Sequence, residues 1–130
     1  METILLAQVF GALFGFLGVL FGAFGAHYLK TRLRPEALQS FETGVRYQLI
    51  HALLLLVLGF NLSFETALEA WICRLILIGI LLFSFSIYLL VWTGYKGRKW
   101  KFLGPVTPLG GLCLLAGWAL LGVWFLKNLF

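Results

Sequence analysis

The sequence predicts an all-α membrane protein: a bundle of four transmembrane helices, with a short amphipathic interfacial helix between helices 1 and 2. Three observations predict it. The composition is 62% hydrophobic and 12% charged, whereas a soluble domain is nearer half apolar and a quarter charged. Four apolar runs are each long enough to cross the ~30 Å hydrocarbon core of a bilayer. The basic residues are not scattered but gathered in two short loops flanking those runs. The mean hydropathy of +0.99 agrees. At 130 residues the chain reads as one domain, 1–130, with spans at about 4–28, 44–62, 70–93 and 105–126.

The first span runs without a charge from Ile4 to Tyr28. Its n-region carries Glu2 and no Lys or Arg, and the apolar run exceeds that of a signal peptide, so it is expected to be a retained helix. Small residues recur at Ala7, Gly11, Gly15, Gly18, Gly22 and Gly25. At 3.6 residues per turn they fall within an arc of roughly 80°. Such a strip lets two backbones approach closely, so Gly11, Gly15, Gly18, Gly22 and Gly25 are the expected helix-packing residues.

Lys30, Arg32 and Arg34 follow, then Pro35 and Glu36. Proline suits a first helical turn, and an acid there complements the positive end of the helix. Leu33, Leu38, Phe41 and Val45 recur at helical spacing, which predicts the short interfacial helix, ending at Thr43-Gly44. The second span follows, from about Gly44 to Leu62. Glu42 and Arg46 are four residues apart, acid first, and are expected to form an interfacial ion pair. Gly44, Tyr47, Gln48 and His51 share one helix face. Gln48 and His51 reach into hydrocarbon, where an unpartnered polar group is costly, so both are expected to find partners and His51 to be neutral. The third span or the turn at Pro105–Pro108 is the expected source of those partners.

Asn61 to Glu69 forms a short acidic turn. The third span carries Arg74 near its start as an interfacial anchor, Ser84 and Ser86 near mid-depth, and Tyr88 beyond. Lys96, Arg98, Lys99 and Lys101 make the second basic loop, with Trp92, Tyr95 and Trp100 as interfacial aromatics. Gly104-Pro105-Val106-Thr107-Pro108 opens the fourth span, since prolines in a first turn remove only donors that would be orphaned anyway.

Four spans place the two basic loops on one side. By the positive-inside rule loops 30–46 and 94–101 face the cytoplasm and both termini face out. The net charge of +5 is thus a topology signal and not a nucleic-acid footprint. Cys73 and Cys113 fit neither a metal site nor a disulfide, because the predicted register separates them along the bundle axis.

GAFGAH (Gly22–His27), FETGVRYQLIH (Phe41–His51), FSFSIYLL (Phe83–Leu90) and GPVTPLGG (Gly104–Gly111) resemble the YgdD/YwdK-like proteins. These are small bacterial inner-membrane proteins of a domain-of-unknown-function family, with mitochondrial-type relatives in eukaryotes. The chain departs from the family in carrying Phe85 where a small residue, often glycine, is usual. The resemblance implies topology and membership and brings no activity.

On these grounds the expected function is non-enzymatic: a lipid or a partner membrane protein bound at a polar inner-leaflet face, in an accessory or assembly role. The candidate polar pocket comprises His27, Tyr47, Gln48, His51, Ser84, Ser86, Tyr88 and Thr107. Partners would be membrane lipids, a second copy of the chain or a larger membrane complex, with no nucleic acid, cofactor or metal. A small transporter or channel is the alternative, although no acid is buried at mid-depth. A redox protein with His27 and His51 as haem ligands is the third class.

Overall fold

The structure is a computed structural model and describes residues 2–129. Five α-helices build it: α1 (Glu2–His27), α2 (Pro35–Asn61), α3 (Ala67–Ile80), α4 (Ser86–Tyr95) and α5 (Val106–Leu129). A π-helical turn, Leu81–Phe85, joins α3 to α4 into one span. Among the described residues, four helical segments are long and apolar enough to cross a membrane: Glu2–Thr31, Pro35–Asn61, Ala67–Tyr95 and Lys101–Leu129. The chain is a four-helix transmembrane bundle.

α1 ends where Tyr28 donates its backbone N–H to Phe24 O at 2.8 Å, and a 3-10 turn follows over Leu29–Thr31. Arg34 is extended (φ −63°, ψ 154°), as the residue before a proline must be, and Pro35 starts α2. Here the structure corrects an expectation. α2 is one unbroken helix of 27 residues, with no separate interfacial helix and no break at Thr43-Gly44. Thr43 turns its hydroxyl back onto Gln39 O at 3.0 Å. Gly44 serves as a close-approach site, since a Cβ there would lie 2.9 Å from the Tyr88 ring. A glycine costs an isolated helix about 1 kcal/mol, and packing against a neighbour offsets that.

The tight connection after α2 holds Phe64 in the left-handed region (φ 56°). Its side chain packs against both hydrophobic clusters of the core, which offsets the backbone strain. Thr66 then caps α3 in a reciprocal box with Glu69. At the other end Gly97 (φ 82°) turns the chain between α4 and a 3-10 turn over Lys101–Leu103. Pro105 precedes α5 and Pro108 lies in its first turn, as expected.

α1 packs along α2, and the third span along α5. Glycines set the first seam: a Cβ at Gly11 would meet Leu56 at 2.9 Å, at Gly18 Leu49 at 2.6 Å and at Gly25 Phe41 at 2.8 Å. Gly22 is looser, with Val45 at 3.3 Å. Gly15 does not belong to the seam, because a Cβ there would meet nothing within 4 Å. The second seam is tighter. At Gly110 a Cβ would collide with the backbone of Leu82 and Phe83, within the π turn. Ala7, Phe14, Ala52, Leu55, Cys73, Ile76, Ile80 and Leu114 fill the centre between the pairs. Large apolar side chains such as Phe16, Val19, Phe60 and Leu115 point outward, as a lipid-facing surface requires.

Candidate binding site at the basic end

Most of the polar residues singled out in the sequence converge on the middle of the bundle, and they bind one another's helices. Gln48 is fully buried. Its Nε2 donates to Phe14 O of α1 at 2.8 Å, and its Oε1 accepts from the Tyr88 hydroxyl of α4 at 2.7 Å. One side chain therefore joins three helices. Ser84, in the π turn, donates to Gly44 O at 2.7 Å. Ser86 donates to Phe83 O at 2.9 Å and shares a hydrogen bond with the hydroxyl of Thr107 on α5.

His51 is held at both ring nitrogens, with Nδ1 2.7 Å from Tyr47 O and Nε2 3.0 Å from Trp118 Nε1 of α5. A carbonyl only accepts and an indole N–H only donates, so His51 is neutral with its proton on Nδ1. Its partner comes from α5 and not from the third span or the Pro105–Pro108 turn. Among the described residues no buried side-chain nitrogen or oxygen lacks a partner. This layer is a filled seam between helices.

Two of the expected pocket residues stand apart from it. His27 is exposed in the last turn of α1. Tyr47 is exposed on the outside of α2, with its ring 4.9 Å from that of Phe83. Glu42 and Arg46 are both exposed, and among the described residues no ion pair joins them. Phe85 occupies the space between spans that a smaller residue would leave, against Phe14 at 5.9 Å and Tyr88 at 5.6 Å between ring centres.

The open space lies one level further along, at the end carrying both basic loops. A cleft of about 940 Å³ runs between the start of α2, the end of α4 and the start of α5. Arg32 and Arg34 line it from the first loop and Lys99 from the second, with Ser40, Thr43 and Thr107 adding hydroxyls. Glu36 is its single acid. α2 starts on this cleft without a side-chain cap, so the positive end of its dipole adds to the cationic field. Beside the cleft is a smaller cavity of about 190 Å³ with an almost wholly apolar, aromatic wall: Phe21, Phe24, Phe41, Tyr88, Trp92 and Tyr95 among others. Leu33, Val91 and Tyr95 line both spaces.

Two partnerships at other levels had no clear sequence signal. Glu69 is buried near the opposite end, where its carboxylate accepts from the backbone N–H of Glu65 at 2.9 Å and from Trp124 Nε1 at 3.0 Å. Gln8 donates to Gly59 O at 3.3 Å, tying the start of α1 to the end of α2. Arg74 places its guanidinium 5.3 Å from the centre of the Trp71 ring, as suits an interfacial anchor.

The model of a family described as "Protein of unknown function (DUF423)" matches residues 21–111. The chain belongs to this family. Curated relatives agree. The DUF423 chain is 39% identical to a UPF0382 membrane protein of Staphylococcus aureus over 114 residues, covering 87% of this chain and 88% of the relative. It is 37% identical to the UPF0382 membrane protein of Staphylococcus haemolyticus, with the same coverage. It is 36% identical to the UPF0382 inner membrane protein YgdD of Escherichia coli K12 over 116 residues, covering 87% and 83%. No solved structure matches. Every residue lining the cleft and the aromatic cavity falls inside the segment matched by the DUF423 model.

Proposed function

We propose that this DUF423 member is a non-catalytic, multi-pass protein of the bacterial inner membrane that binds an anionic group in the basic cleft. The group is carried by a membrane lipid or by a partner membrane protein, and the role is accessory. The cleft itself carries the proposal: three cations from two loops 65 or more residues apart in sequence, Arg32 and Arg34 against Lys99, line one space. Basic segments favour the cytoplasmic side, so the loop before α2 with the first turns of that helix, and the loop after α4, face inward and the cleft opens on the inner leaflet. The filled layer of Gln48, His51, Ser84, Ser86, Tyr88 and Thr107 acts beneath it as a brace that fixes the spacing of the cleft walls.

The other two classes fit the geometry less well. A transporter would need its mid-depth polar groups free for a substrate, and Ser84 and Ser86 are engaged with Gly44, Phe83 and Thr107. A haem ligand needs a free ring nitrogen, and both of those in His51 are taken. The test is purification in mild detergent with mass spectrometry of what is retained. Wild type should retain an anionic lipid or a stoichiometric partner, and the triple variant Arg32→Gln, Arg34→Gln, Lys99→Gln should lose it. Equal retention by both would refute the cleft as the site.

A further inference from the structure

The two spaces at the basic end share a wall, and they differ sharply in chemistry. On one side lie Arg32, Arg34 and Lys99. On the other lie the rings of Phe21, Phe24, Phe41 and Trp92. Leu33, Val91 and Tyr95 stand between. Phe24, Trp92 and Tyr95 are themselves partly exposed on the outer, lipid-facing surface, so the aromatic cavity is bordered by the bilayer. A single ligand spanning both must be anionic at one end and apolar at the other, and its apolar part must enter from the hydrocarbon.

We propose that the ligand is an anionic phospholipid, with its phosphate in the basic cleft and one acyl chain laid over Val91 into the aromatic cavity. The proposal rests on the binding role given above and narrows it to one class of ligand. Charge complementarity selects the lipid's sign, since Glu36 alone opposes the three cations. The arrangement also separates two tasks. Lipid tails gain nothing from leaving other tails, so the cavity cannot supply a hydrophobic driving force. The phosphate sets the preference for an anionic ligand, and van der Waals packing of the chain against the rings adds the affinity that a chain-free phosphate lacks and fixes the orientation.

The test uses phosphatidylglycerol, phosphatidylcholine and chain-free glycerol 3-phosphate added to the full-length protein in detergent, with bound species counted by native mass spectrometry. Phosphatidylglycerol should bind at least about tenfold more tightly than phosphatidylcholine, whose choline cation cancels the phosphate charge that the basic residues attract. Arg32→Gln with Lys99→Gln should erase that preference. Val91→Phe fills the shared wall and should weaken phosphatidylglycerol about fivefold, the scale of one lost ring contact, while leaving glycerol 3-phosphate unchanged. Leu33→Trp, in the loop outside the helices, should do the same and guards against a folding defect in the first variant. Glycerol 3-phosphate binding as tightly as the lipid, with both filling variants silent, would overturn the chain-bearing ligand while leaving an anion site in the cleft. No preference for either anion would overturn the lipid and the cleft together. A stoichiometric protein retained without lipid would overturn the lipid and keep the cleft.

Discussion

Trp118 of α5 donates its indole hydrogen to Nε2 of His51 on α2, across 3.0 Å and 67 residues of sequence. The bond ties the α1–α2 pair to α5 and leaves the imidazole no freedom of tautomer. Nitrogen-15 NMR of the protein in nanodiscs should therefore find His51 neutral and protonated at Nδ1. Trp118→Phe removes the donor and should lower stability in detergent by roughly 1 kcal/mol, as inter-helix hydrogen bonds in membranes do. An Nε2-protonated ring would contradict the arrangement.

The glycines of the two seams differ in what they exclude, and substitution should rank them. Gly110→Ala drives a methyl group into backbone atoms of Leu82 and Phe83, which cannot swing aside, and should cost about 1–3 kcal/mol or prevent assembly. Gly18→Ala meets the end of the Leu49 side chain and should cost less. Gly15→Ala meets nothing and should be neutral, or stabilising by up to about 1 kcal/mol through better helix propensity. Thermal unfolding in detergent reads all three, and a destabilising Gly15→Ala would place a neighbour where the bundle has none.

Glu69 caps its own helix and accepts from Trp124, so one carboxylate holds the start of α3 and the end of α5. Glu69→Ala should destabilise by about 1–2 kcal/mol, because it removes the cap of α3 and leaves the Trp124 indole without its acceptor. Trp124→Phe should cost less, since the cap survives it. Equal losses would mean that the indole, and not the cap, carries the effect.

Thiol labelling in intact cells tests the orientation. In a background of Cys73→Ser and Cys113→Ser, a cysteine at Ser63 should react with an impermeant reagent, and one at Arg98 should react only after lysis. The native cysteines are free, and the wild-type protein should show two alkylatable thiols under denaturing, non-reducing conditions.

Much of this fold is legible in the sequence because hydrocarbon imposes strict terms: long apolar runs, loops marked by charge, small residues where backbones meet. Among the described residues four helical segments are long and apolar enough to span a membrane, as the apolar runs imply, and the Gly11, Gly18 and Gly25 contacts follow the strip seen in the sequence. Gly44 misled because helix propensity is a local property, whereas its value here lies in a ring on another span. The π turn at Leu81–Phe85 has no compositional mark, although its backbone lies directly against Gly110. Gln48 and His51 were visible as polar groups in need of partners. That His51 would find Trp118 was not visible, because tryptophan reads as one more apolar residue until its N–H has an acceptor. The basic cleft was hidden for a different reason: its cations come from two loops, and only the fold brings them to one space.

The most direct test of the binding site is a solid-state NMR measurement of proximity between lipid phosphorus and side-chain nitrogen, with the protein in phosphatidylglycerol-containing bilayers. Strong phosphorus dephasing at the Arg32 guanidinium and the Lys99 ammonium, and weak dephasing at Arg74 near the other end, is the predicted result. Equal dephasing at all three, or none at Arg32 and Lys99, would contradict a lipid phosphate held in the basic cleft.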